Sequence, residues 1–317
     1  MPVPRESPEE PLLFLVGPTA VGKTAFALEL AEALGAWIVS LDSMQVYRRM
    51  DIGTAKPTPD ERERVPHLCL DRVEPSERYD VQRYLKDAEA AREHCRRVGK
   101  RALFVGGAGL YLKALCRGLF GGPPVDLELR ERLKARAREA GSPALHAELA
   151  HLDPASAARL HPNDEKRVLR ALEVLEQTGR SLSDWQREWG WHGRSATERP
   201  QRIVGLRLPG ALLDERIRAR VCGMLERGWA RETRAIRDGV GFGPTAIQAL
   251  GYREVLELAD GCESSAEIEE RLVALTRRFV RRQHTWFRSW PHIRWIDPRA
   301  ADAQRVALGA LGALSGS

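Results

Sequence analysis

Gly17-Pro18-Thr19-Ala20-Val21-Gly22-Lys23-Thr24 completes the pattern G-x-x-x-x-G-K-[ST], and its neighbours decide how it reads. Upstream lies the apolar run Leu12-Leu13-Phe14-Leu15-Val16; downstream, residues 25–34 carry a helical pattern. A buried strand that feeds a glycine turn and then a helix start aims backbone N–H groups at one point, where they can hold phosphate oxygens. Lys23 adds a positive charge there, and the Thr24 hydroxyl is placed to reach a magnesium ion carried by phosphate. Alone, the loop specifies a diphosphate or triphosphate but neither the whole ligand nor the reaction.

Working outward, further strands are expected at residues 37–41 and 102–105, each followed by a loop and a helical stretch. This alternation implies a parallel sheet with helices on both faces, an α/β core like that of the P-loop NTPases. Gly121-Gly122-Pro123-Pro124 breaks the pattern. Residues 126–189 then read as helical and charged and end in a loop at 190–200. Another core strand is expected at 203–208, helices near 212–227, 246–258 and 266–286, and a last strand at 293–296. The expected division is a core over residues 1–121 and 200–317, interrupted by a helical insertion at 122–199.

The chain of 317 residues is long enough for one large core plus a smaller inserted unit. No apolar run approaches the roughly 20 residues that span a bilayer. The first ten residues, rich in proline and glutamate, lack the apolar centre of a signal peptide. The five cysteines (Cys69, Cys95, Cys116, Cys222, Cys262) form no C-x-x-C pair, so no structural zinc site is expected and a reducing cytoplasm is the plain reading. A net charge of +6 suits an anionic partner.

That charge is concentrated in residues 276–288, TRRFVRRQHTWFR, with five arginines and no acid. On a helix Arg277 and Arg281 lie four apart, as do Arg278 and Arg282, and each like-charge pair costs a few tenths of a kcal/mol. A solvated arginine face is one reading. A phosphate-rich ligand along that face would offset the repulsion, and the interleaved Gln283, Trp286 and Phe287 favour it.

The second expected strand ends in Leu41-Asp42-Ser43-Met44-Gln45-Val46-Tyr47. Ligands of doubly wound sheets bind beyond the C-terminal strand ends, which brings Asp42 near the phosphates. A carboxylate there suits a magnesium ligand or a general base toward a second substrate; a local helix cap by Asp42 or Ser43 is the structural alternative. Asp51-Ile52-Gly53-Thr54-Ala55-Lys56-Pro57 and Gly106-Gly107-Ala108-Gly109-Leu110-Tyr111 add two more loops at the same edge.

With these loops in view, the sequence resembles the tRNA dimethylallyltransferase (tRNA isopentenyltransferase) family in its bacterial form. The match runs through GPTAVGKT, DSMQVYR (42–48), DIGTAKP (51–57), GGAGLY (106–111), HPNDEKRVLRALEV (161–174), QALGYRE (248–254) and RRQHTWFR (281–288). The resemblance implies transfer of a dimethylallyl group from dimethylallyl diphosphate to N6 of the adenine just 3′ of the anticodon of tRNA. It makes the first loop (Gly17, Pro18, Thr19, Ala20, Val21, Gly22, Lys23, Thr24) a diphosphate holder, with Mg2+ on Thr24. Asp42 then matches the general base, and Arg220 the arginine that grips the diphosphate. Contacts to the tRNA anticodon stem-loop are implied at Asp42, Ser43, Met44 and Gln45, at Ala108, at Arg130, and on Lys166, Arg167, Val168, Leu169 and Arg170. Arg278, Arg282 and Gln283 are expected to add to them. Asn163 is the expected helix cap before Lys166.

One position departs from the family: its third loop reads GGTGLY, where this chain has Ala108. No ligand set for the C-terminal zinc finger of some eukaryotic relatives is present. The implied setting is cytoplasmic, with no membrane, and the working unit a monomer. A P-loop small-molecule kinase using Asp42 and ATP, an adenylate isopentenyltransferase acting on a free nucleotide, and an RNA-binding NTPase switch are the rival readings. The first leaves the basic insertion idle, and the second needs no such insertion.

Overall fold

The five residues LLFLV are apolar at every position, so a strand made of them must be covered on both faces, as in the centre of a parallel sheet. In the computed structural model, which describes residues 10–118, 123, 126–188, 199–261 and 264–312, this is the case. They form β1 (Leu12–Val16), buried throughout. The other strands are β2 (Ala36–Leu41), β3 (His67–Leu68), β4 (Arg101–Gly106), β5 (Gln201–Leu206) and β6 (Arg294–Ile296). All pair in parallel, in the order β3-β2-β4-β1-β5-β6.

The register sets where chemistry can occur. Gly106 pairs with both Val16 and Leu41, so β1, β2 and β4 end at one level. A Cβ at Gly106 would lie 2.1 Å from the Leu41 carbonyl oxygen, an approach that only glycine permits. The chain leaves β1 for β2, two places to one side, and leaves β4 for β5, two places to the other. The edge beside β1 and β4 is therefore a topological switch point, where loops diverge and leave a crevice.

Helices cover the sheet: α1 (Lys23–Leu34), α2 (Pro59–Arg64), α3 (Val81–Arg97) and α4 (Gly109–Arg117) in the first half. A separate helical unit follows, with α5 (Leu127–Ala140), α6 (Ser142–Leu152), α7 (Pro154–Ala157), α8 (Glu165–Thr178) and α9 (Leu182–Glu188). The second half adds α10 (Gly210–Glu226), α11 (Trp229–Asp238), a 3-10 turn at Ala246–Gln248, α12 (Tyr252–Ala259), α13 (Ser265–Arg288) and α14 (Ala303–Ala310). The 24-residue α13 starts at a capping box made by Ser264 and Glu267. By contacts, residues 1–116 and 199–317 form one compact unit and 117–198 the other. Most of the expected break at 121–124, and of the loop at 190–200, lies outside the described residues.

One strand goes unsignalled in the sequence, and two local expectations are corrected. The two-residue β3 pairs only through Ile38–His67 and Val39–Leu68, too short to leave an apolar run in the sequence. The helix expected over 246–258 is split at Gly251, whose φ of 88° belongs to the left-handed region. The cap of α8 is Asp164, whose side chain accepts the Arg167 N–H, one residue later than the expected Asn163.

The helical unit has its own core, built from Leu129, Leu133, Leu149, Val168, Leu169 and Leu172 among others. Within it Glu173 is fully buried. Its carboxylate accepts from Arg130 Nε at 3.0 Å and Nη2 at 2.5 Å, and from Arg170 Nη1 at 3.0 Å. Arg170 Nη2 also donates to the Pro123 carbonyl at 3.0 Å. The arginines are 31% and 28% exposed, so solvent screens part of each charge. Removing one partner of a buried pair costs ~3–5 kcal/mol. Given that screening, Glu173→Ala is expected to destabilise the helical unit by about 3 kcal/mol, at the low end of that range. Urea unfolding of the full chain, followed by circular dichroism, measures it.

Candidate active site

Beyond Val16 the first loop turns through Ala20 (φ 64°) and Gly22 (φ 98°), and α1 begins at Lys23. No side chain caps α1, so its leading N–H groups face an anion-binding position unclaimed by a side-chain cap. One donor of the loop is already used: Thr19 N–H donates to Gln283 Oε1 at 3.0 Å. Lys23 folds back over the loop, with Nζ donating to the carbonyls of Gly17 at 3.0 Å and Pro18 at 2.7 Å. Arg216 Nη1 donates to the Val21 carbonyl at 3.2 Å and braces the loop from α10.

Three charges meet at this edge. Burial, and then the Arg220 guanidinium, push the Lys23 ammonium down to about 7, with Asp42 opposing them. Burial also lowers the Arg220 pKa, while Asp42 raises it; a guanidinium stays protonated regardless. Asp42 Oδ1 accepts the N–H groups of Met44 at 2.8 Å and Gln45 at 3.3 Å. No hydrogen bond to its second oxygen is found among the described residues. The capping role and a role toward a ligand therefore coexist on one carboxylate, one oxygen for each.

Lys23, Thr24, Asp42 and Arg220 line one cavity of about 490 Å³. Its wall is also apolar, with Ala27, Ile38, Val105, Leu110, Phe279 and Trp286. A polar cradle continuous with an apolar wall suits a ligand with a charged head and a hydrocarbon tail.

The remaining loops are held by side chains that sequence reasoning did not single out. Glu232 on α11 accepts the N–H groups of Asp51 at 2.9 Å, Ile52 at 2.7 Å and Gly53 at 3.3 Å, plus the Tyr252 hydroxyl at 2.8 Å. Nothing in the sequence near Glu232 signals this, because its backbone partners lie about 180 residues away. Lys56, whose side chain is fully buried, donates to Asp51 at 2.5 Å, Asp71 at 2.7 Å and the Tyr47 carbonyl at 2.7 Å. The Gln45 side chain accepts from Ser40 Oγ and donates to the carbonyls of Thr54 and Ala55.

Comparison with known proteins agrees with this geometry. A family described as IPP transferase matches residues 45–290, and one described as isopentenyl transferase matches 11–77. A tRNA dimethylallyltransferase of Syntrophobacter fumaroxidans is 46% identical over 294 residues, which cover 92% of this chain and 84% of that protein. The chain belongs to the IPP transferase family. A tRNA dimethylallyltransferase of Sorangium cellulosum is likewise 46% identical over 278 residues, 87% of each protein. The full-length tRNA isopentenylpyrophosphate transferase of Bacillus halodurans superposes with a TM-score of 0.67 at 35% identity, covering 96% of this chain and 97% of that one. A eukaryotic dimethylallyltransferase acting on tRNA superposes at 0.76 and 26% identity, over 95% of this chain and 78% of the other.

Within this IPP transferase fold the residues singled out from sequence divide clearly. Ser43, Met44, Gln45 and Ala108 line the same cavity as Asp42. Ala108 presents a methyl group where the family has a hydroxyl, and its N–H donates to the Leu41 carbonyl at 3.1 Å. Arg278 and Arg282 are exposed, with Arg282 also lining the cavity and lying over the Phe279 ring at 5.7 Å. Arg277 pairs with Asp214 at 3.2 Å, which relieves part of the expected like-charge repulsion. In the helical unit Lys166 and Arg167 are exposed, and Arg167 pairs with Asp164.

The remaining expected contacts are buried or already partnered within the protein. Val168 and Leu169 are core residues, whose side chains hold α8 in place. Arg130 and Arg170 are engaged by Glu173. Gln283 is 6% exposed and also lines the cavity, with its amide bonded to the Thr19 N–H and the Gly107 carbonyl.

Two outcomes test this geometry. Because Lys23 titrates at about 7 and a diphosphate would favour its charged form, diphosphate binding at pH 8 should take up a proton. Its affinity should fall by up to about tenfold per pH unit above that value. Calorimetry in two buffers of different ionisation enthalpy reads the uptake, and Lys23→Met removes it. Glu232→Ala leaves three backbone donors without their acceptor, and at ~1 kcal/mol or more each should loosen residues 51–53. Faster hydrogen exchange confined to that loop and its neighbours is the expected result.

Proposed function

We propose that this chain transfers a dimethylallyl group from dimethylallyl diphosphate to N6 of the adenine just 3′ of the anticodon of tRNA, releasing diphosphate. The observation that carries the reading is the single cavity in which Lys23, Arg220 and Asp42 meet an apolar wall. The family membership and the relatives' name, tRNA dimethylallyltransferase, support it.

The exocyclic amine of adenine is a weak nucleophile, because its lone pair is delocalised into the ring. Diphosphate leaves readily once its charge is met. In the proposed step the N6 lone pair forms a bond to the allylic C1, and the C1–O bond breaks with its electrons passing to diphosphate. Asp42 takes the N6 proton through the oxygen that the local turn leaves open. Lys23, Arg220 and the leading N–H groups of α1 stabilise the negative charge on the departing oxygens. Met44, Leu110, Phe279 and Trp286 offer apolar surface to the prenyl tail and the base, which limits water at the allylic carbon. The base must leave its stack to enter, which costs least from a single-stranded loop.

Among the described residues no group of three or more His, Cys, Asp or Glu side chains could hold a metal ion. The donors present, the Thr24 hydroxyl and the Asp42 carboxylate, are hard oxygens that fit Mg2+ shared with a diphosphate. Bound there on Thr24, it would neutralise leaving-group charge.

Exposed Arg278, Arg282, Lys166 and Arg167 are the proposed backbone contacts of the anticodon stem-loop. A kinase using the same loop would have no use for the apolar wall, and a free-nucleotide acceptor none for the basic helices. Among the described residues no helix is long and apolar enough to cross a membrane. The reading includes the cytoplasm as the place of action and a monomer as the working unit.

The test incubates the protein with magnesium, dimethylallyl diphosphate and an anticodon stem-loop carrying that adenine, followed by mass spectrometry of the nucleosides. N6-dimethylallyladenosine is the expected product; nucleotide hydrolysis or phosphorylation of a small acceptor without it would reject the reading. Asp42→Asn, which keeps an acceptor for Met44 N–H, should lower kcat by about 10²–10⁴-fold and leave diphosphate binding largely intact. Asp42→Ala should abolish turnover. Loss of diphosphate binding in either variant would sink the general-base assignment.

A further inference from the structure

Resting on the reading of residues 17–24 as a diphosphate cradle, we infer that Gln283, which lines the cavity, is a positioning residue for that cradle. Its amide joins two loops that are far apart in sequence. Oε1 accepts the Thr19 N–H at 3.0 Å, and Nε2 donates to the Gly107 carbonyl at 3.2 Å. Both groups of the amide are thus engaged, and the residue is 6% exposed.

The space around the tie is as specific as its hydrogen bonds. A Cβ at Gly107 would lie 2.1 Å from Gln283 Nε2 and 3.3 Å from the Gly17 carbonyl oxygen. The loop after β4 therefore reaches the first loop only because position 107 carries no side chain. Three residues along α13, Trp286 packs where a Cβ on Gly109 would lie, 2.7 Å from its ring. One face of α13 thus holds the loop after β4 at two points, while the neighbouring Arg281 and Arg282 are exposed. Successive helical residues are turned by about 100°, so an arginine face and an inward amide can share one turn.

The consequence for the site is directional. With Thr19 N–H spent on Gln283, the cradle's donors to diphosphate come from the residues after it, and the tie fixes their aim. Cutting it leaves a donor and an acceptor unpaired and lets the first loop shift against the wall that carries Ala108. Misplacement on that scale is costly where reacting atoms must be held within a few tenths of an ångström.

The experiment measures two affinities separately. Inorganic diphosphate with magnesium is titrated by calorimetry, and a labelled anticodon stem-loop by fluorescence anisotropy, in wild type and Gln283→Leu. The diphosphate Kd should rise about tenfold, consistent with two lost hydrogen bonds, with the stem-loop Kd unchanged. Gln283→Asn, one methylene shorter, should weaken diphosphate in the same direction and serves if the leucine variant does not fold. Gly107→Ala should weaken diphosphate by displacing the amide, and should cost less in a Gln283→Ala background, where the amide is gone.

An unchanged diphosphate Kd, a raised stem-loop Kd in its place, or additive effects of the two substitutions would overturn the inference. A wild-type chain that binds diphosphate yet transfers no prenyl group would sink the proposed function and leave the tie standing. One that binds no diphosphate would sink both.

Discussion

The pairing of Gly106 with both Val16 and Leu41 puts three strand ends at one level, and the loops that follow open on the same edge. The site depends on this register. Side chains in a strand alternate with period two, so a slip of one residue in β2 would turn Leu41 out of the core and carry Asp42 away from Lys23. Glycine at 106 is what lets the β2 and β4 backbones close up at that level. Parallel pairing requires long crossovers, and these place α1, α3 and α4 between strands.

At that edge the charges are arranged in opposition. Arg220 raises the cost of keeping Lys23 protonated, burial does so for both, and Asp42 is the group that offsets these effects. Such a cluster is poised for an anion, whose arrival relieves the repulsion between the cations. The surrounding apolar wall strengthens every one of these interactions by holding water away. The loops themselves are set by polar side chains packed against them: Glu232 under residues 51–53, Lys56 between Asp51 and Asp71, Gln283 between Thr19 and Gly107. Of these, Glu232 and Lys56 shape a cavity that they do not line, whereas Gln283 lines it.

Much of this was legible in the sequence, for reasons that differ by element. LLFLV reads as a buried strand because every position is apolar, and its bounds agree residue for residue. The glycine loop and Asp42 could be placed because motif and strand end coincide. The signal fails where partners are distant or the element is short. β3 is only two residues long, Glu232 meets its loop across the fold, and Asp164 competes with Asn163 for the same cap. The arginine-rich stretch does not reveal the inward bonds of the Gln283 amide, because charge marks the face of a helix while an inward amide leaves no trace in composition. Val168 and Leu169 are the same lesson in the helical unit, since a basic motif on α8 contains the residues that anchor it.

The sharing of Glu173 by Arg130 and Arg170 has a consequence in the ionic atmosphere of a bound nucleic acid. Free cations that meet phosphates displace condensed counterions, and that release makes binding fall steeply with salt. Two arginines already neutralised in part by a buried carboxylate bring less unbalanced charge. Their forks are held in orientation, however, and lose little freedom on meeting a phosphate. On the proposed reading, then, the helical unit contributes geometry more than charge to the hold on RNA. The salt dependence of that hold should follow the exposed, unpaired cations on α13 and Lys166 more than the arginine count of the chain.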